Sequence, residues 1–77
     1  MFIETRFYNN GGAEAHLRKS RPVQDPDDYT GKYDFYVDEV TDLQEWLDDN
    51  LEIELDDIVS LVLDLESGKW VDISAYC

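Results

Sequence analysis

Five carboxylates lie close together in the middle of the chain, one adjacent pair and otherwise spaced by three or four residues: Asp42, Glu45, Asp48, Asp49 and Glu52. On an α-helix, with about 100° per residue, this pattern places them on one side, and those three or four residues apart are separated by roughly 4.5 to 6 Å along the axis. Phosphates along one DNA strand have a comparable spacing, with a rise of about 3.4 Å per nucleotide. Such a row predicts binding to Lys and Arg side chains of a nucleic-acid site.

The alternative for this row is an ordinary solvated helix face. A solvated face normally mixes acidic and basic residues, because like charges at i,i+4 destabilise a helix by a few tenths of a kcal/mol per pair. No Lys or Arg occurs between residues 42 and 52. The unfavourable repulsion therefore favours a binding function.

A second acidic group surrounds a tyrosine. Asp34, Tyr36 and Asp38 alternate with an apolar set at positions 33, 35 and 37, which predicts a strand with the acidic set on its exposed side. Tyrosine flanked by carboxylates suits an Arg-rich partner. A tyrosine half-buried at a sheet edge is the alternative.

The net charge of −13 is unevenly distributed. Residues 1–22 carry a net charge of +2, whereas residues 23–77 carry −15. Such a field repels nucleic acid and anionic membranes and attracts basic proteins. A net charge of about 2 to 8 is enough to keep a small domain in solution, so we expect a basic protein surface as the partner, with no direct DNA binding.

Other chemistry has weaker support. Asp25, Asp27 and Asp28 suggest a calcium loop, but an EF-hand needs Gly sixth and Glu twelfth, where this chain has Thr30 and Tyr36. We therefore expect no metal site.

Catalytic groups are also sparse. His16 is the only histidine, Cys77 is the only cysteine and has no neighbouring base, and Gly11-Gly12 is not part of a phosphate-binding loop. The sequence predicts neither an enzyme nor a cofactor.

The carboxylates must be positioned by a small fold. Residues 2–8 and 13–19 read as two strands joined by a turn at residues 9–12, although a short helix over 13–20 is the alternative. A loop over 20–31 contains two prolines. Strand 33–38 follows, and then a helix capped by Thr41, which forms a capping box with Gln44, or by Asp42. The helix ends at Asn50, with an extension through Leu51 and Glu52 as the alternative.

An apolar stripe on this helix, Leu43, Trp46, Leu47 and Leu51, predicts packing on a sheet. Residues 59–65 alternate in polarity, Glu66 to Lys69 suggests a turn, and residues 70–74 alternate again, which predicts a C-terminal hairpin. The expected fold is a single α+β domain, β-β-loop-β-α-β-β, with about five antiparallel strands and one amphipathic helix. Its two parts are a basic hairpin, 1–22, and an acidic part, 23–77.

The N-terminus, Met1 to Glu4, lacks the charged and apolar regions of a signal peptide, and no apolar run approaches the roughly 20 residues that span a bilayer. We therefore expect a cytoplasmic protein, and a host-cell cytoplasm if a phage encodes it.

A short chain with a pI near 4.1 and the acidic run from Asp42 to Asp57 resembles the DNA-mimic inhibitors of phages and mobile elements. These include acidic anti-CRISPR and antirestriction proteins, and the resemblance is one of type. It implies occupation of the nucleic-acid channel of a CRISPR effector, a restriction enzyme or another DNA-binding protein.

Two other functions remain open. An antitoxin-like or regulatory module would bind a basic protein without imitating DNA, and an assembly protein would use an exposed sheet edge. The basic segment 1–22 departs from a uniformly acidic mimic. Its alternatives are homodimerisation and a contact with an acidic patch or with RNA.

Overall fold

A computed structural model of the chain describes residues 1–23 and 31–77. The sheet has the order β3-β1-β2-β4, with all neighbouring strands antiparallel. The α+β prediction is confirmed, with four strands and two helices in the described part. The elements are β1 (Phe2–Tyr8), β2 (Ala13–Arg18), β3 (Tyr33–Glu39), α1 (Leu43–Asn50), α2 (Leu55–Glu66), β4 (Val71–Asp72) and a 3-10 turn (Ser74–Tyr76).

The N-terminal hairpin is confirmed, and the alternative helix over 13–20 is wrong. Gly11 has a φ of 92°, which glycine adopts without steric penalty. Backbone bonds from Tyr8 N to Gly12 O (2.8 Å) and from Gly11 N to Tyr8 O (3.0 Å) close the turn. Most of the loop predicted over 20–31, including Asp25, Asp27 and Asp28, lies outside the described residues.

The predicted C-terminal hairpin is wrong in its first half. Residues 59–65 belong to α2, which buries Ile58, Leu61 and Leu65 at the i, i+3, i+7 spacing of a helix. Gly68, with a φ of 85°, ends this helix, and its N–H donates to Leu65 O at 3.1 Å. The predicted strand 70–74 is reduced to β4, so the five strands and one helix become four strands and two helices.

One hydrophobic core lies between the sheet and both helices. Ile3 and Ala15 from the sheet and Leu47 and Leu65 from the helices are completely buried. Residues around them complete the core: Ala13, Val40, Leu43, Leu51, Ile58, Leu61, Val71 and Ile73. Within the part of the chain that the structure describes, neither helix has the length and apolarity needed to cross a membrane.

The register of β3 decides which of its sides meets the helices. Asp38, Tyr36 and Asp34 pair with Ile3, Thr5 and Phe7 of β1, so the acidic set lies on the helix-bearing face. The apolar set of β3 lies on the opposite face, beside Glu4, Arg6 and Tyr8. This arrangement is possible because α2 packs on β2 and β4, away from edge strand β3.

Candidate partner-binding surface

Helix α1 fixes the central carboxylates through its cap and its apolar side. Asp42 is the N-cap, and its Oδ1 accepts a hydrogen bond from Glu45 N at 3.2 Å, so Asp42 takes the capping role that Thr41 was also predicted to fill. Leu43 and Leu47 are buried against the core. The opposite side of α1 is thereby held toward solvent.

Four of the five predicted carboxylates share that outer side. Asp42, Glu45, Asp48 and Asp49 are all exposed. Glu52 is exposed too, but it lies beyond the end of α1, because the backbone at Leu51 is extended, with a φ of −121°. The prediction that Glu52 belongs to the helical row is therefore wrong.

No ion pair in residues 1–23 and 31–77 neutralises the α1 carboxylates. The ion pairs that form there lie elsewhere: Arg6 with Glu14 at 3.9 Å, Arg18 with Glu4 at 3.2 Å, and Lys69 with Asp64 at 4.0 Å. Arg21 lies 4.9 Å from the ring centre of Phe2, so it too has a contact within the fold, as Arg6 and Arg18 do. The carboxylates of α1 thus remain available to an external cation.

The surface around α1 is concave on both sides. A hollow of 170 Å³ at the end of β3 is lined partly by the carboxylates of Glu39, Asp42, Glu45 and Asp49. A groove of 360 Å³ between the two helices has Asp42, Gln44, Glu45 and Asp48 on one side and Leu55 and Ile58 on the other. The acidic row therefore borders two depressions into which long basic side chains could reach.

Helix α2 extends this surface with residues that the sequence analysis did not select as a site. Asp56 and Asp57 are exposed in its first turn, directly after exposed Glu54. Acidic residues there interact favourably with the helix dipole.

The same helix has an exposed apolar stripe. Leu55, Val59 and Leu63 follow one another at intervals of four residues and are 70%, 49% and 66% exposed. We define these three as the α2 stripe. Together with buried Ile58 and Leu61, they give α2 an apolar surface wider than its core face.

The three residues of the β3 group, Asp34, Tyr36 and Asp38, are all exposed but differ in their contacts. Tyr36 is exposed by 54%. Asp38 accepts a hydrogen bond through Oδ2 from Trp46 Nε1 at 3.2 Å, which joins β3 to α1. A pocket of 240 Å³ opens beside this bond and is lined by Thr5, Phe7, Tyr36, Asp38, Trp46, Asn50 and Leu51. We call it the β3–α1 pocket.

Trp46 is half-buried: one part of it packs against the core, as the apolar stripe predicts. Its indole N–H also bonds Asp38. Its carbonyl oxygen accepts a hydrogen bond from Asn50 Nδ2 at 2.8 Å. The ring of Phe7 meets the ring of Tyr36 edge-on, with centroids 5.7 Å apart and planes at 74°. Three aromatic rings and one carboxylate therefore meet at this pocket.

The opposite sheet face holds an arginine among aromatic rings. Arg6 Cζ lies 4.5 Å from the ring centre of Trp70 and 4.9 Å from that of Tyr33. Tyr8 donates its hydroxyl hydrogen to Glu14, and this bond, followed by burial, raises the pKa of Tyr8. The cluster holds a half-buried basic residue of the segment 1–22 in contact with its own fold.

His16 and Cys77 have structural contacts. His16 Nε2 is 2.8 Å from Gly68 O, and its ring centre is 5.0 Å from that of Trp70, which ties β2 to the end of α2. Burial, and secondarily the charge of Asp72, raises the pKa of the Cys77 thiol, which disfavours the reactive thiolate.

No group of three or more metal-ligating side chains comes together within the described ranges, 1–23 and 31–77. The Asp25 to Asp28 segment considered as a calcium loop lies outside them.

Comparisons of the chain with protein-family models, with curated proteins and with solved structures find no match. The acidic surface around α1 is therefore the basis for a proposal on function.

Proposed function

We propose that this protein is an acidic inhibitor that occupies the positively charged nucleic-acid site of another protein, as a DNA mimic of the anti-CRISPR or antirestriction type. The observation that carries the proposal is the outer side of α1. There, Asp42, Glu45, Asp48 and Asp49 are exposed together, with no basic partner among the described residues.

The anchoring of this row to the core supports mimicry. Leu43 and Leu47 anchor α1 to the core, and Asp42 caps it, so the carboxylates are held on a fixed helical frame. A preorganised charged surface loses less conformational entropy on binding than a flexible acidic tail. The like-charge repulsion within the row lowers helix stability, which is consistent with selection for binding.

The surroundings of the row add to this support. The two depressions beside α1 are lined by its carboxylates, and the first turn of α2 adds Asp56 and Asp57. A partner with several Lys and Arg residues in a groove could therefore contact acids from both helices. The proposal implies action in the cytoplasm, where such partners meet DNA.

A competition experiment tests mimicry. Purified RNA-guided effector nucleases, restriction enzymes and nonspecific DNA-binding proteins are screened for binding, and each partner found is titrated with DNA at several concentrations of the acidic protein. The apparent Kd for DNA should rise with inhibitor concentration, while enough DNA should still occupy all of the partner. A ternary complex with DNA would exclude mimicry. No binding in this screen, together with capture from lysates of only proteins that lack a nucleic-acid site, would refute the whole proposal.

The α2 stripe favours a second candidate, an antitoxin-like or regulatory module that binds a basic protein without imitating DNA. Contiguous exposed apolar side chains mark protein–protein contacts, and a phosphate row has no counterpart to them. In this case Val59→Ser and Leu63→Ser would weaken partner binding strongly, and partner loaded with DNA would still bind.

Homodimerisation remains a prediction for the segment 1–22. Arg6, Arg18 and Arg21 all contact side chains of their own chain, which leaves less positive charge for an intermolecular contact. Sedimentation equilibrium over a range of protein concentrations would measure the state of association.

A further inference from the structure

We propose that the β3–α1 pocket receives an arginine side chain of the partner protein, an inference that rests on the proposed binding to a basic protein. The pocket has a volume of 240 Å³ and contains Phe7, Tyr36 and Trp46 together with the carboxylate of Asp38. About 10–15 Å³ of such space holds one water molecule, so the pocket has room for a planar group of several heavy atoms.

The chemistry of the lining matches a planar cation. Aromatic faces attract cations electrostatically, and more strongly where water is partly excluded. Asp38 uses Oδ2 for the bond with Trp46, which leaves Oδ1 as an acceptor for a guanidinium N–H. Asn50 uses Nδ2 for its bond with the Trp46 carbonyl, so its Oδ1 is a further acceptor at the rim.

The opposite sheet face supplies an internal precedent. There, Arg6 lies between the rings of Tyr33 and Trp70 at 4.9 and 4.5 Å, with the Glu14 carboxylate 3.9 Å from its Nη1. The β3–α1 pocket has the same kinds of group, and its lining contains no Lys or Arg. This chain thus already holds the guanidinium of Arg6 among aromatic rings and a carboxylate. The β3–α1 pocket offers the same groups to an arginine of another protein.

The position of the pocket connects it with the acidic row. Trp46 and Asn50 line both this pocket and the 170 Å³ hollow that contains Glu39, Asp42, Glu45 and Asp49. One basic segment of a partner could therefore place an arginine in the pocket and further basic residues along α1. The pocket would supply side-chain selectivity, whereas the row would supply long-range attraction.

Arginine is favoured over lysine on physical grounds. Its planar guanidinium stacks on aromatic rings and bonds carboxylates through several N–H groups, whereas the lysine ammonium is a compact and strongly hydrated point charge. A cation–π advantage of about 1 kcal/mol corresponds to roughly five-fold in affinity. The row on α1 has no aromatic component of its own, so the cation–π part of the preference for arginine belongs to the pocket.

The test compares an oligoarginine peptide with an oligolysine peptide of equal length. A Trp70→Phe background makes Trp46 the only tryptophan, and its fluorescence reports occupation of the pocket. The indole N–H resonance of Trp46 in the unsubstituted protein gives the same information if Trp70→Phe fails to fold. We expect oligoarginine to bind roughly five-fold more tightly and to shift the Trp46 signals more than oligolysine.

Two substitutions reduce the selectivity. Tyr36→Leu deletes an exposed ring, and Asp38→Asn removes the charge while its amide oxygen can still accept from Trp46. Each should lower the arginine-to-lysine affinity ratio, whereas the control Asp64→Asn, with the same charge change away from the pocket, should keep it. If the two pocket variants retain the ratio, or if the unsubstituted protein shows none, the inference is wrong.

Failure of the proposed function has a different signature. Asp48→Asn with Asp49→Asn should weaken both peptides and leave the part of the ratio that the pocket supplies. If the unsubstituted protein binds neither peptide at low salt, binding to a basic surface is refuted together with the pocket. If both bind tightly but without preference or movement of the Trp46 signals, only the arginine pocket is refuted.

Discussion

Trp46 Nε1 donates a hydrogen bond to Asp38 Oδ2 over 3.2 Å, and this contact links the middle of α1 to edge strand β3. The two acidic groups of the sequence, one on the helix and one on the strand, therefore meet at one tryptophan. Because Trp46 also packs against the core, the contact sets the position of both groups relative to the folded domain.

The change from predicted strand to helix over residues 59–65 gives a direct stability test. Leu65 is completely buried and Leu63 is 66% exposed. Leu65→Ala should lower the free energy of unfolding by about 2–5 kcal/mol, whereas Leu63→Ala should change it by less than about 0.5 kcal/mol. Urea unfolding of the two variants measures this difference. Equal losses would fit a strand, in which both side chains share a face.

Local signals were sufficient for the first half of the fold. Strand composition predicted β1, alternation predicted β2 and β3, and the Asn-Asn-Gly-Gly turn predicted the hairpin. Asp42 with the Leu43 and Leu47 stripe predicted α1. Each of these signals acts within a few residues, where hydrogen bonding and sterics dominate. Sequence reasoning is most dependable there.

Helix α2 could not be decided locally. Val59, Leu61, Leu63 and Leu65 fit the period of a strand, while Ile58, Leu61 and Leu65 fit the period of a helix. The Ser67-Gly68 pair can turn a hairpin or end a helix, since both uses need a positive φ at glycine. Packing on β2 and β4 selects the helix, and this long-range information is absent from the local pattern.

The candidate site was predictable in its charges and not in its shape. The spacing of Asp42, Glu45, Asp48 and Asp49 identified one acidic side. The β3–α1 pocket depends on the register that sets Tyr36 opposite Thr5 and Asp38 opposite Ile3. Register and helix docking join residues far apart in the chain, so the pocket emerges only from the folded structure.

Gly68 provides a second stability prediction. Its φ of 85° is unfavourable for residues with a Cβ, and an added Cβ would meet no atom within 4 Å, so only the backbone term is at stake. Gly68→Ala should cost about 1–2 kcal/mol. Gly68→Asn is the control, because asparagine tolerates the left-handed region better and should cost less. Thermal melts measure the stability of both variants. Equal losses would mean that the positive φ at Gly68 is not the cause.

Asp72 should make stability depend on pH in the acid range. Hydrogen bonds from the Ser74 hydroxyl and from its backbone N–H, the latter at 2.8 Å, lower the pKa of Asp72 below its ordinary 3.8. A lowered folded-state pKa stabilises the fold above the unfolded value, and this contribution is lost as the pH falls through the folded-state pKa.

Asp72→Asn should therefore have a lower Tm than the original protein at neutral pH, and the difference should shrink on acidification below 3.8. Removing any carboxylate also relieves repulsion, so Asp49→Asn serves as the control and should raise the Tm at neutral pH. Calorimetry at several pH values measures both. A Tm difference for Asp72→Asn that does not vary with pH would contradict the assigned hydrogen bonds.

The last prediction concerns the acidic row itself. Replacing Asp48 and Asp49 by Asn should leave the fold intact and raise stability by a few tenths of a kcal/mol, because like-charge pairs on α1 are removed. Exposed ion pairs contribute about 0.2–1 kcal/mol each, so affinity for an oligolysine peptide should fall by roughly two- to thirty-fold. The loss should be greatest at low ionic strength, where screening is weakest. The matched control is Asp64→Asn with Glu66→Gln, two exposed acids at the other end of α2, which makes the same change in net charge. If both double variants lose affinity equally, the peptide responds to total charge, and the row on α1 is not a binding site.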